Sequence, residues 1–135
     1  MSDVFSPLRQ AQTWRDLWIA LAEIERELGV EISESAIREL RAARDEIDLE
    51  RVAEIEAELR HDVMAHVHHY GEVAPGARAV IHLGATSAFV ADNAGLLQLK
   101  DALEIVADRP RGAFELWPEP FDARLLVRIR SRMSV

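Results

Sequence analysis

Thr13-Trp14-Arg15-Asp16-Leu17-Trp18-Ile19-Ala20-Leu21-Ala22-Glu23-Ile24-Glu25-Arg26-Glu27-Leu28-Gly29 is the stretch that decides the fold. Trp14, Leu17, Trp18, Leu21, Ile24 and Leu28 recur three or four residues apart, the spacing that lines up one face of an α-helix. Thr13 with Asp16 three residues on makes a capping box at its start, and Gly29 supplies the stop. The same grammar repeats downstream. Ser33 can cap a second helix carrying Ile37, Leu40 and Ile47, and Asp48 a third carrying Leu49, Val52, Ile55 and Leu59. A fourth helix is expected over Asp62–Tyr70, closed by Gly71 and followed by a turn at Val73-Ala74-Pro75-Gly76. Ala79 to Leu83 is a short apolar segment that Gly84 breaks. Thr86 or Ser87 then caps a fifth helix, with Leu96, Leu99, Leu103 and Val106 as its buried stripe. The expectation is an all-α fold with no strand.

The periodicity stops at Asp108. Three of the chain's five prolines, Pro110, Pro118 and Pro120, fall within the next dozen residues, too close together for any helix to survive. Residues 108–135 carry six Arg against four acids, whereas the rest of the chain is strongly acidic, for an overall formal charge of −8. The division expected is a helical region over 1–106 and an aperiodic Arg- and Pro-rich tail over 107–135.

Bulk composition narrows the functional classes. A length of 135 residues with 49% hydrophobic and 30% charged residues is that of one globular domain. No apolar window is long enough to span a bilayer, and the first ten residues, MSDVFSPLRQ, lack the pattern of a signal peptide, so a cytoplasmic location is expected. The absence of cysteine removes disulfides, thiolate metal sites and cysteine nucleophiles together. The negative charge repels phosphate backbones and anionic membranes, so no nucleic-acid or membrane partner is expected. An anionic ligand would have to be held by a few local positive and N–H groups.

Those groups gather between Arg60 and Asn93. Arg60 offers a bidentate fork, His61 an adjacent imidazole, and Asp62 a carboxylate that could orient or cap, all at the start of a helix whose free N–H groups favour negative charge. In His82-Leu83-Gly84-Ala85-Thr86-Ser87 a glycine permits a tight backbone and two adjacent hydroxyls sit at a helix start, a geometry that suits carboxylate or phosphate; capping alone would explain Thr86 and Ser87 as well. Asp92 and Asn93 are polar residues of low helix propensity one to two turns in, fit for a polar task or for hydrogen bonding to a neighbouring helix. Asp62, His66 and His69 stand at i, i+4 and i+7, a spacing compatible with a metal, but no further ligand signature accompanies them and no metal is expected.

Taken together, Arg60-His61-Asp62-Val63-Met64-Ala65-His66, Ile81-His82-Leu83-Gly84-Ala85-Thr86-Ser87 and Asp92-Asn93 resemble the adenylosuccinate lyase family of the fumarase/aspartase superfamily. Thr13-Trp14-Arg15, Leu17-Trp18 and Ala20-Leu21-Ala22-Glu23 are similar to that family's first long helix, and the likeness runs from about Met1 to Val106. The resemblance implies the N-terminal helical domain of such a lyase plus the start of its first bundle helix. It further implies a homotetrameric enzyme of purine nucleotide synthesis that releases fumarate from adenylosuccinate and from the succinyl-carboxamide ribotide, with no metal or organic cofactor. By position, Arg60, His61, Asp62, Thr86 and Ser87 would bind the nucleotide substrate, His61 helping to hold it.

Three family features do not occur in these 135 residues: the later histidine motif that supplies the general acid, the Gly-Ser-Ser-rich loop that supplies the general base, and a Ser-Arg-Tyr segment before the match begins. Losing a positioned acid or base costs on the order of 10²- to 10⁴-fold each. The chain is therefore expected to be an inactive fragment, with no catalytic residue of its own. Met1 reads as an internal methionine of a longer parent, and the tail as frame-shifted or disordered sequence. Two other classes stay open on the residues alone: a stand-alone helical module that binds an intact lyase or another helical partner through the fifth helix, and a metal-binding helical protein.

Overall fold

A computed structural model describes residues 2–107. The tail expected over 107–135 lies, apart from Ala107, outside the described residues. A 3₁₀ turn at Ser2–Phe5 leads into α1 (Pro7–Glu27), followed by α2 (Glu34–Ala42), α3 (Leu49–Leu59), α4 (Asp62–Val73), a 3₁₀ turn at Pro75–Ala77 and α5 (Ser87–Ala107). No strand occurs among the described residues, in accord with the all-α expectation.

The first helix begins seven residues earlier than expected, its cap at Ser6 and not Thr13. Ser6 accepts from the Arg9 N–H at 3.2 Å, and Pro7 occupies the first helical position, where its fixed φ helps and its missing N–H costs nothing. Thr13 is therefore inside the helix, its hydroxyl bonded to the Arg9 carbonyl at 2.9 Å, and Asp16 reaches across to the Arg44 guanidinium at 2.6–2.8 Å. Gly29 stops α1 as expected: at φ +95° it lets its own N–H reach the Arg26 carbonyl at 3.0 Å and the Val30 N–H reach the Glu25 carbonyl at 2.9 Å.

Ser33 and Asp48 cap α2 and α3 as expected, Ser33 accepting from Ala36 N–H at 3.1 Å and Asp48 from the Glu50 and Arg51 N–H groups at 3.0 Å each. Ile47 falls beyond the end of α2, in the turn before Asp48. Gly71 does not close α4, which continues to Val73. A Cβ at Gly71 would come within 2.8 Å of the Arg78 Cγ, so the glycine serves close side-chain approach instead of a helix stop.

The core forms where α1, α2, α4 and the first turns of α5 meet. Trp14 and Trp18 on α1, Ile37 and Leu40 on α2, Val63 and Tyr70 on α4 and Val90 on α5 are all buried. The indoles of Trp14 and Trp18 meet edge-on at 6.3 Å, and Trp18 lies 6.1 Å from the Tyr70 ring, distances at which aromatic pairs add to plain burial. Tyr70 donates its hydroxyl to the Leu40 carbonyl at 2.7 Å and so satisfies a group near the end of α2. Tyr70→Phe, which strands that carbonyl and changes little else, is expected to lower unfolding stability by about 1–2 kcal/mol in urea denaturation; an unchanged midpoint would show that the bond contributes nothing net.

Only part of the stripe expected on α5 is covered, Leu103 and Val106 being half-buried. Leu96 and Leu99 are 65% and 50% exposed, whereas Val90 and Ala94 are fully enclosed. The core reaches only the first turns of α5; beyond Ala94 the helix is tied to the N-terminal segment by polar contacts, Gln98 to the Val4 carbonyl at 2.9 Å and Asp101 to Arg9 at 3.4 Å.

Candidate functional site

The two polar motifs, far apart in sequence, meet at the junction of two helix starts. Arg60 ends α3 in the left-handed region at φ +53°, which turns the chain sharply enough for α4 to begin at Asp62. His61 is the cap of α4, an unusual residue for that place: its Nδ1 accepts from the Met64 N–H at 3.4 Å. Its Nε2 lies 3.2 Å from the Oγ of Ser87, the first residue of α5. Since Nδ1 is occupied as an acceptor, the neutral ring carries its proton on Nε2 and donates to Ser87.

Asp62 lies beside this pair, its Oδ1 3.5 Å from the His61 Nδ1 and accepting from the Val63 N–H at 2.7 Å. Arg60 is exposed and makes no ion pair among the described residues. Thr86 is exposed as well, and its carbonyl accepts from the Phe89 N–H at 2.9 Å, the first bond of α5. The structure thus joins His61 to Ser87 directly and places Arg60 and Asp62 beside them by chain continuity, while the Thr86 hydroxyl makes no hydrogen bond among the described residues. Asp92 is exposed on α5, and Asn93 donates to the Phe89 carbonyl at 2.7 Å, a local helix bond.

His82 belongs to the second motif without a role assigned from sequence. It sits at φ +63°, just before Gly84 at φ +66°, and its Nδ1 accepts from the indole N–H of Trp18 at 3.0 Å. Burial first, and then the nearby His61, hold its pKa below the ordinary histidine value. The indole lies 64 residues away in sequence, so no local pattern reveals the contact.

The spacing of Asp62, His66 and His69 does not build a metal site, and no cluster of three or more ligating side chains occurs among the described residues. His66 stands edge-on to the Trp14 ring, centroids 4.9 Å apart, and His69 uses Nε2 to accept from the Asp48 N–H at 3.0 Å. Both are bound up in packing. Burial pushes His66 down to about 4, with Arg15 and His69 adding to the effect, and lowers His69 for the same first reason. A groove between α1 and α2 lies away from this junction, and its charges are neutralised by Arg41 on Glu23 at 2.5 Å and Arg44 on Asp16 at 2.6 Å.

No family model matches the chain. Against curated proteins, it is 48% identical over 102 residues to an adenylosuccinate lyase of Schistosoma mansoni, a span covering 76% of the chain and 21% of that enzyme. Over that span the chain belongs to the adenylosuccinate lyase family. The adenylosuccinate lyase of Saccharomyces cerevisiae matches at 47% over 109 residues, 78% of the chain and 23% of the enzyme, and that of Pyrococcus horikoshii at 39% over 107 residues, 78% and 24%. The chain therefore spans between a fifth and a quarter of the length of the adenylosuccinate lyases it matches. Among the described residues, no helix is long and apolar enough to cross a membrane.

Proposed function

We propose that this chain carries the nucleotide-holding part of an adenylosuccinate lyase site, built from Arg60, His61, Asp62, Thr86 and Ser87. The observation that carries the reading is the 3.2 Å contact between His61 Nε2 and Ser87 Oγ, which brings the N-termini of α4 and α5 to one place. A polyanionic substrate is the chemistry such a junction suits. Two positive dipole ends, an Arg fork and the His61 Nε2–H, which an anionic ligand would take over from the Ser87 hydroxyl, can hold phosphate or carboxylate oxygens in a domain that otherwise repels them.

The reaction we assign to the parent enzyme is release of fumarate from adenylosuccinate and from the succinyl-carboxamide ribotide. It would proceed without metal or organic cofactor, in a cytoplasmic homotetramer that binds no nucleic acid. On this reading the chain binds and orients substrate, and the proton transfers belong to residues it does not contain. Alone it produces no fumarate.

Titrating adenylosuccinate into the ¹⁵N-labelled chain tests the site. Shifts confined to the amides of residues 60–64 and 82–88 are expected, with His61→Ala weakening the affinity by about 10- to 100-fold through loss of one charge-assisted hydrogen bond. Shifts spread evenly over the surface, or a His61→Ala affinity equal to the wild type, would remove the basis for the assignment.

A further inference from the structure

We propose that Trp18 is a positioning residue for this junction: its indole N–H holds His82 as a neutral imidazole with the proton on Nε2. The inference rests on the reading above only for what the junction binds; the arrangement itself stands on geometry. Trp18 is 1% exposed and fixed by the neighbouring rings of Trp14 and Tyr70. An indole N–H can donate but never accept, so the His82 Nδ1 that it meets at 3.0 Å is unprotonated, and a neutral His82 must carry its proton on Nε2. The two rings also meet edge-on, 6.0 Å apart at 84°, which restricts how far the imidazole can turn.

Protonating Nδ1 would set two N–H groups against each other and leave the indole donor buried without a partner. His82 is thereby kept as a donor of fixed direction and not as a titrating cation. Its backbone supports the same end, since φ +63° is a conformation an L-residue adopts only when its surroundings impose it. His61 is fixed in the same tautomer by a different device, the Met64 N–H. The junction consequently holds two imidazoles that both keep their proton on Nε2, one locked by backbone and the other by the core.

Long-range ¹H–¹⁵N spectra of the labelled chain read the tautomers directly. Expected are an Nε2-protonated His82 and a scalar coupling across the hydrogen bond from Trp18 Nε1 to His82 Nδ1. A His82 protonated on Nδ1, or one averaging between tautomers with no such coupling, overturns the proposal. In Trp18→Phe, which keeps an aromatic ring in the core, His82 should become a tautomeric mixture while His61 does not change; a His82 that keeps its single tautomer also overturns it. Should that variant fail to fold, the wild-type coupling still decides. Adenylosuccinate should bind folded Trp18→Phe roughly three- to tenfold more weakly, the loss expected for one oriented hydrogen bond. If the wild type shows the tautomer and the coupling but binds no adenylosuccinate, the substrate reading fails while the indole's hold on His82 stands.

Discussion

Arg15→Ala is expected to destabilise the domain by about 3–5 kcal/mol, the range of the largest single-residue effects. Arg15 is only 2% exposed, yet it makes no salt bridge among the described residues. Its guanidinium instead donates to the carbonyls of Ala43 and, at 3.3 Å, Arg44, just past the last turn of α2, and lies 4.2 Å from the centroid of the Tyr70 ring. A positive group at a helix C-terminus meets both the unsatisfied carbonyls and the negative end of the dipole. The aromatic face then adds an attraction worth about 2 kcal/mol when desolvated.

Burial draws the Arg15 pKa down to about 10, which leaves the group charged at neutral pH. Alanine would strand two carbonyls, vacate the space over Tyr70 and loosen the junction of α1, α2 and α4 together. In a domain of this size the cost corresponds to a Tm lower by roughly 15–30 °C. Arg15→Lys keeps the charge without the fork and should fall between. A Tm for Arg15→Ala within about 3 °C of the wild type would show that the carbonyls find water and that the guanidinium is not what joins these helices.

Acid should loosen the same core through His66. Its pKa is pushed down from 6.5 to about 4 in the folded chain, chiefly by burial against α1, so the unfolded chain takes up the proton first. The contribution is complete above pH 6.5 and lost as pH falls from there through about 4. At 1.36 kcal/mol per pH unit the full effect approaches about 3 kcal/mol, of which about 2 has gone by pH 5. His69 is lowered for the same first reason and adds loss of the same sign.

Urea midpoints at pH 7.5 and pH 5 for the wild type and His66→Phe would separate this from general carboxylate titration. Phenylalanine can keep the edge-on contact with Trp14 but has no proton to gain. The variant should lose about 2 kcal/mol less than the wild type between those pH values. Equal losses in the two proteins would mean that His66 is already hydrated in the folded state.

How much of this was readable in the sequence depends on how local the deciding contact is. Ser33, Asp48 and Gly29 act on atoms within a few residues, and each does what its position promises. Thr13 and Asp16 resemble a helix start because apolar periodicity begins there. The true start lies in Ser6-Pro7, ahead of Leu8, whose side chain is 45% exposed and gives no sign of a buried face. Gly71 has the sequence signature of a stop, because its neighbour Arg78, which exploits the missing Cβ, is distant in pattern though near in space. On α5 the leucines are periodic but lie outside the core formed by the described residues, and the smaller Val90 and Ala94 do the packing. The site divides the same way. Arg60-His61-Asp62 and Thr86-Ser87 could be picked out as motifs and matched to a family, whereas the contact between His61 and Ser87 and the indole behind His82 exist only once α1, α4 and α5 have come together.

Of the four described residues with left-handed backbones, Gly29 and Gly84 pay nothing for the conformation, but Arg60 and His82 do. An L-residue held there costs about 1–2 kcal/mol relative to its relaxed form, and glycine would relieve most of it. Selection for a longer folded lifetime therefore pulls both positions toward glycine, while selection for ligand binding pulls them back. A library of this segment screened only for heat resistance would be rewarded for erasing the Arg60 fork proposed to meet the substrate and the His82 imidazole held beside it, and its most durable members would be its poorest binders.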